Sequence, residues 1–273
     1  MPSLNENIEN KQSWETILEA ESITPVLYVH NYDTDKVILC PIGDEHIGSK
    51  FYDADKHKEI LEWCYKEKTP IILMGDELET ATKTSVGAGI FEQDDIVQRQ
   101  LERAVLLYKP LADAGLLIGN HIGNHEARVY QHSGANLSKI LADMLHITYL
   151  GVGAIHLFNI GNQQYTMYTT HGTSGARLPH TKIANTIKMS NMASVMIYCQ
   201  GHLHQLSHHV QNYYRVDLED RTIKEAQRHY IICGSYLKHW GSYAHISNME
   251  PSRIGSPKIK LSGEKHQIRV SLG

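Results

Sequence analysis

The chain has 273 residues, with 26 Lys and Arg against 30 Asp and Glu and a formal net charge of −4, long enough for one large domain or two small ones. Hydrophobic residues make up 41%, a globular composition, and no apolar run approaches the ~20 residues that cross a bilayer, which excludes an integral membrane protein. The slight acidic excess does not advertise a nucleic-acid binder, although a local basic patch stays open.

In chain order, residues 1–24 read as a polar extension with a short helix around Trp14 to Ala20. MPSLNENIENKQSW lacks the basic and apolar segments of a secretory signal. Residues 25–273 read as a single domain, with no repeat or linker to divide them. PVLYVHN and KVILCPI flank a turn-like YDTD and suggest a hairpin. HKEILEWCYKEK (57–68) carries Ile60, Leu61 and Cys64 at helical spacing, and TPIILMGD follows as a short buried strand. IVQRQLERAVLLYKPLADA (96–114) is helical, AGLLIGN a strand, and NLSKILADML (136–145) helical again. YTMYTTHG and SVMIYCQGH are strands separated by a helix near 180–191. From about 205 onward the alternation of apolar and polar residues reads mostly as strands. Cys40, Cys64, Cys199 and Cys233 form no CxxC pair, and three of them sit in apolar runs, which suits buried thiols in a reducing, cytoplasmic setting.

The informative feature is where the 18 histidines fall. Five strands run into polar clusters: KVILCPIGDEH, PIILMGDELE, LLIGNHIGNHE, YTMYTTHG and VMIYCQGHLH. In open α/β sheets, sites form at the carboxyl ends of strands. These ends deliver Asp44, His46, Asp76, Asn124 or Asn120, His171, His202 and His204. All are oxygen or imidazole donors and none is a thiolate. Such a set suits manganese, iron, zinc, nickel or cobalt rather than calcium. Seven ligands exceed the needs of one zinc-type site and suffice for two metals sharing a carboxylate. Asp76, on a central strand, fits the shared position best.

At these residues the chain resembles the calcineurin-like metallophosphoesterase superfamily. The family pattern is D-x-H, G-D-x-x-[DE], G-N-H-[DE], a lone His, then G-H-x-H. Here it reads DEH (44–46), GDELE (75–79), GNHE (123–126), THG (170–172) and GHLH (201–204), in the same order. The resemblance implies a four-layer α/β/β/α sandwich, two mixed β-sheets flanked by helices. It implies that Asp44, His46, Asp76 and His204 surround one divalent ion, manganese favoured, and Asp76, Asn124, His171 and His202 a second. His125 then touches no metal; it protonates the leaving oxygen or steadies the charged transition state. Glu126 is expected to fix that imidazole. Glu79 reads equally as its counterpart or as a solvated carboxylate at a helix start. Of the two Gly-Asn-His copies in GNHIGNHEAR, only the second ends in an acid, so Asn120 and His121 are expected to support the site from behind.

The reaction implied is metal-dependent hydrolysis of a phosphoester by a bridging hydroxide, with no covalent intermediate. GDELETA and IGNHE lack the arginines of the phosphoprotein phosphatases. DEHIGS and the run from Cys233 to Leu261 resemble the phosphodiesterase and repair-nuclease branch; GNHEAR and ETATKTSVGAG resemble stand-alone bacteriophage-encoded members. Arg128 and Arg177 are candidate substrate contacts. With His180, Lys182, Lys238 and His239 among Tyr236, Trp240 and Tyr243, they suit a DNA or RNA strand held by charge and stacking. A small cyclic or dinucleotide phosphodiester is the alternative substrate, and a scaffold that has lost its metals the alternative class. The oligomeric state is open, a homodimer included.

Overall fold

The computed structural model describes residues 26–81, 91 and 93–273; the helix expected near Trp14 lies outside them. In chain order the elements begin with β1 (Leu27–Tyr32), β2 (Lys36–Ile42), α1 (Ala54–Lys66), β3 (Ile71–Leu73), α2 (Val97–Asp113) and β4 (Leu117–His121). Then come α3 (Asn124–Ser133), α4 (Leu137–Leu145), β5 (Thr148–Gly151), β6 (Gly153–Ile160), β7 (Gln163–Thr170), α5 (Pro179–Ile187) and β8 (Ile197–Gln200). The chain closes with β9 (Leu206–Asp217), β10 (Thr222–Cys233), α6 (Tyr243–Ile246), β11 (Lys258–Ser262) and β12 (Ile268–Ser271).

The strands make two mixed sheets, ordered β1-β6-β7-β8-β10-β9 and β12-β11-β2-β3-β4-β5. Between them lies one apolar layer fed by both, with Leu39, Ile72 and Leu261 facing Phe158, Met167, Ile197 and Ile231. A second cluster fills the space between the β2-β3-β4 face and helices α1, α2 and α4, through Ile60, Tyr108 and Leu141 among others. A smaller third cluster covers the outer face of the other sheet, where Met189 and Val195 meet Tyr198 and Tyr230, with Ile187 of α5 packed against it. Helix, sheet, sheet, helix is the α/β/β/α order expected.

Local chemistry explains most elements. The Asp53 side chain caps α1 by accepting from the Lys56 amide, and Ile60, Leu61 and Cys64 are its buried face. Asn136 caps α4 in the same way. All four cysteines are buried free thiols, and no helix among the described residues is long and apolar enough to cross a membrane.

The hairpin expected around YDTD does not form. β1 pairs in parallel with β6 at the edge of one sheet, and β2 lies between β11 and β3 in the other. The two strands want different surroundings: β1 alternates between exposed and half-buried, and β2 is buried along most of its length. α3, β5, β6 and the short α6 escaped the sequence reading. β6 and β7 form an antiparallel hairpin closed at Gly161 and Asn162. The tail is less strand-rich than expected, because residues 234–257 are mainly loop with the single turn of α6.

β2, β3 and β4 run parallel, as do β7 and β8. Parallel strands present the same ends to the same edge, so the five strand ends quoted above open onto one rim of the sandwich.

Candidate metal centre

The ends of β2, β3 and β8 bend away sharply. Asp44, His46, Asp76, His202 and His204 all have positive φ, between 48° and 65°, a left-handed conformation uncommon for residues with a Cβ and worth ~1–3 kcal/mol of strain each. The Asp44 amide donates to the Gly75 carbonyl and the His46 amide to the Asp76 carbonyl. The loops after β2 and β3 are thus stitched together with their side chains turned to a common centre. Gly123 and Gly75 face one another so closely that a Cβ on Gly123 would lie 2.1 Å from Asp76 N and Oδ1.

α3 begins at Asn124 directly after that glycine, so its free first-turn amides point at the β3 loop. The His125 amide donates to Asp76 Oδ1 at 2.8 Å. Asp76 Oδ2 is left facing the cluster, 3.3 Å from His171 Nε2 and 4.0 Å from His46 Nε2.

Two donor sets meet at Asp76. In the first, His204 Nε2 lies 3.1 Å from Asp44 Oδ1 and 3.2 Å from His46 Nε2, and the four residues Asp44, His46, Asp76 and His204 bring their ligand atoms within 4.8 Å of one another. In the second, Asp76, His171 and His202 converge, with Asn124 Oδ1 2.9 Å from His171 Nε2 and 2.7 Å from His202 Nδ1. Two donors bonded to one ion at ~2.1 Å lie no more than ~4.2 Å apart. The four individual distances just given, 2.7 to 3.2 Å, meet that limit, so the residues fit a divalent ion on either side of Asp76. The nitrogen and oxygen donors, without sulfur, suit a first-row transition metal.

The rings are oriented from behind. His171 Nδ1 donates to the Met74 carbonyl at 2.9 Å, which leaves Nε2 as the nitrogen that faces the cluster. His202 is turned the other way: Nε2 donates to the Ser174 carbonyl at 3.1 Å, and Nδ1 faces Asn124. His46 Nδ1 lies 3.1 Å from Glu79 Oε2. The His202 amide donates to both oxygens of Asp44, at 2.8 and 3.1 Å, which ties the end of β8 to the end of β2.

The electrostatics are those of a cation site. Burial alone would lower the histidines, yet Asp76 and Asp44 lift His171 to about 10, and Glu79, Asp76 and Asp44 lift His46 to about 9. Burial works against the charge of Asp76, but His171, His125 and His46 hold its carboxyl well below the ordinary range. A cluster that recruits protons this strongly is one where added positive charge is stabilised.

His125 stands beside these sets. Its ring meets His46 edge to face, with centroids 4.3 Å apart. Nδ1 is held by the Glu79 carbonyl, and Nε2 lies 3.9 Å from Asp76 Oδ2. Burial pushes its pKa down to about 4. His46, Glu79 and His125 form a third close trio, in which Glu79 is the partner of both rings.

One expectation about the acids needs correction, and one open alternative is decided. Glu126 does not fix the His125 imidazole; it is buried and accepts from the Leu78 amide at 2.8 Å and the Asp76 amide at 3.3 Å, so it braces the loop that carries Asp76. Glu79 is no solvated helix start; it is 8% exposed and lies against His46 and His125. Asn120 and His121 are fully buried behind the site, bonded to the Ser138 carbonyl, the Gly151 carbonyl and the Thr169 hydroxyl.

Among the candidate substrate contacts, Arg128 lies close enough to Glu79 and His125 to act on their charges. Arg177 is exposed, in the segment that leads into α5. Tyr236 is removed from that group, because it is buried in the core with its hydroxyl on Ser256. Trp240 is 81% exposed and stacks on His245.

No family model matches the chain, and no curated protein matches it. Among solved structures, the chain is similar to a phosphoesterase from E. coli at 13% identity and a TM-score of 0.42, over 86% of this chain and 99% of that one. It is also similar to a conserved protein from Streptococcus pneumoniae described as a predicted phosphoesterase, at 11% identity and a TM-score of 0.37, over 86% and 88% of the two chains.

Proposed function

We propose that this chain is a metal-dependent phosphodiesterase of the calcineurin-like superfamily and that its substrate is a nucleic acid strand. One observation carries the reading: a single carboxylate oxygen, Asp76 Oδ2, stands between two sets of nitrogen and oxygen donors, each matched in spacing to one divalent ion. Asp44, His46 and His204 would complete one set, and Asn124, His171 and His202 the other.

Divalent ions held there would supply a nucleophilic oxygen at neutral pH and neutralise charge building on the phosphoryl group. The protein's part is to hold the donors still. The Asp76 carboxylate is fixed by the His125 amide on one oxygen, which keeps the other free for the shared position. Glu126 clamps the same loop through two backbone amides. Asp44 is gripped by the His202 amide, so the two sheets cannot drift apart at the rim.

His125 is the residue for proton transfer. With Nδ1 committed to the Glu79 carbonyl, Nε2 is the nitrogen that meets a substrate. The free ring is neutral at pH 7, because burial holds its pKa at about 4. A phosphodiester anion beside it favours the imidazolium, so the ring gains its proton with the substrate and can pass it to the departing oxygen. Support for a nucleic-acid substrate comes from Arg128 beside this ring and from exposed Trp240 and Arg177.

The test is a manganese-supplemented panel of a chromogenic diester and monoester, single- and double-stranded DNA, RNA and cyclic nucleotides, with bound metal counted on the same sample. Cleavage of a strand and of the diester in preference to the monoester supports the reading. Cyclic nucleotides as the only substrates would overturn the strand assignment. Less than about one transition metal per chain, with no turnover, would mean a binding scaffold.

A further inference from the structure

Beside the metal centre, the chain leaves a cavity of 210 Å³ lined by Arg177, Lys182 and Arg253, with Gln205, Ser252 and Glu250 in its wall. The cavity adjoins the site through the chain itself. Gln205 follows His204, and Arg177 is three residues beyond Ser174, whose carbonyl holds His202. Lys182, on α5, is half-buried and close enough to Asp44 and Glu250 to feel both carboxylates. Three cations line the recess against one lining carboxylate, Glu250. Burying a lysine's amine costs free energy unless an anion compensates.

Its size limits what enters. Pockets for whole small molecules start at ~300 Å³, so this one takes a group rather than a molecule. Its charge says the group is an anion, and its position says that anion belongs to whatever is held at the metal centre. We propose that the cavity seats the phosphate next to the one cleaved, so that the substrate carries at least two phosphates in succession. The inference rests on the phosphodiesterase reading and sharpens it: Arg177 and Lys182 are specificity-determining residues that read the neighbouring phosphate. A strand and a dinucleoside polyphosphate both offer that chemistry, and the assay separates them.

The experiment compares kcat/KM with manganese for thymidylyl-thymidine, which has one phosphate, against the thymidine trinucleotide, which has two, and diadenosine tetraphosphate. Wild type should prefer a two-phosphate substrate. In the Arg177→Gln and Lys182→Gln variants, the ratio of two-phosphate to one-phosphate kcat/KM should fall roughly tenfold or more, the size of a lost charged hydrogen bond. Lys182→Arg should keep the ratio, which separates lost charge from a damaged fold. Preference for the tetraphosphate alone would identify an anhydride as the natural source of the second phosphate. A ratio unchanged in both Gln variants overturns the proposal while leaving hydrolysis itself standing. A second readout needs no turnover: binding of a fluorescein-labelled trinucleotide to metal-free protein across a salt series. The log–log salt slope should become shallower by roughly 0.7 in Arg177→Gln/Lys182→Gln, one phosphate contact on a single strand. An identical slope refutes the seat even if no substrate is ever cleaved.

Discussion

Gly123→Ala tests whether close contact between two loops sets the position of the shared aspartate. The backbone at Gly123 is extended, with φ −87° and ψ 168°, so alanine is conformationally welcome and only space is at issue. Its Cβ would fall 2.1 Å from Asp76 N and Oδ1 and 2.5 Å from Glu126 Oε2, about 1 Å or more short of van der Waals contact. The β3 loop must move by that distance, since α3 and β4 anchor the glycine. Overpacking of this kind costs ~1–3 kcal/mol, and a displacement of ~1 Å in a positioning group costs ~10² in rate. We expect a lower urea midpoint with unchanged m, manganese affinity down ~10–100-fold, and kcat/KM on a chromogenic diester down ~10²-fold. A variant that loses stability yet binds manganese and turns over like wild type would refute the argument that this contact positions Asp76.

Asp76→Asn should reduce bound manganese from two ions per chain to at most one weakly held ion and abolish diester hydrolysis, measured by elemental analysis and initial rates. His125→Ala should retain both ions while kcat falls on the order of 10²–10⁴; metal loss in that variant would place His125 among the ligands. Metal uptake should release protons. His171 and His46 hold protons with pKa values of about 10 and 9 and must lose them to ligate, so affinity climbs as pH rises from 7 to 9 and levels off above 10. Calorimetric titrations in buffers of different ionisation enthalpy count those protons, and a count of zero at pH 7 contradicts the electrostatics described above. Manganese at ~100 times its Kd should stabilise the fold by ~2.7 kcal/mol, with thermal melting reversed by a chelator as the check.

The strand ends were legible because they combine two signals that seldom coincide by chance: an apolar run that must be buried, followed at once by Asp, Asn or His. Each ligand-bearing loop could therefore be found without knowing its neighbours. Pairing was less legible. The three residues between β1 and β2 are short enough for a hairpin, and only the difference in burial between β1 and β2 shows why they part. α3 was missed because GNHEARVYQHS has little apolar periodicity; its helix is set by Gly123 at the cap and by amides aimed at Asp76. Glu126 was misassigned, and Glu79 left open, for a related reason. Glu126 and Glu79 sit two and three residues from candidate ligands, and sequence spacing alone does not say that one grips backbone amides while the other faces two imidazoles.

The donors come from both halves of the sandwich: Asp44, His46, Asp76 and Asn124 from the sheet holding β2, β3 and β4, and His171, His202 and His204 from the one holding β7 and β8. Cations lodged among them act as rivets through two plates. Filling the rim should therefore slow amide exchange on both plates at that end, and stripping it should let the seam gape there first while the opposite end stays shut.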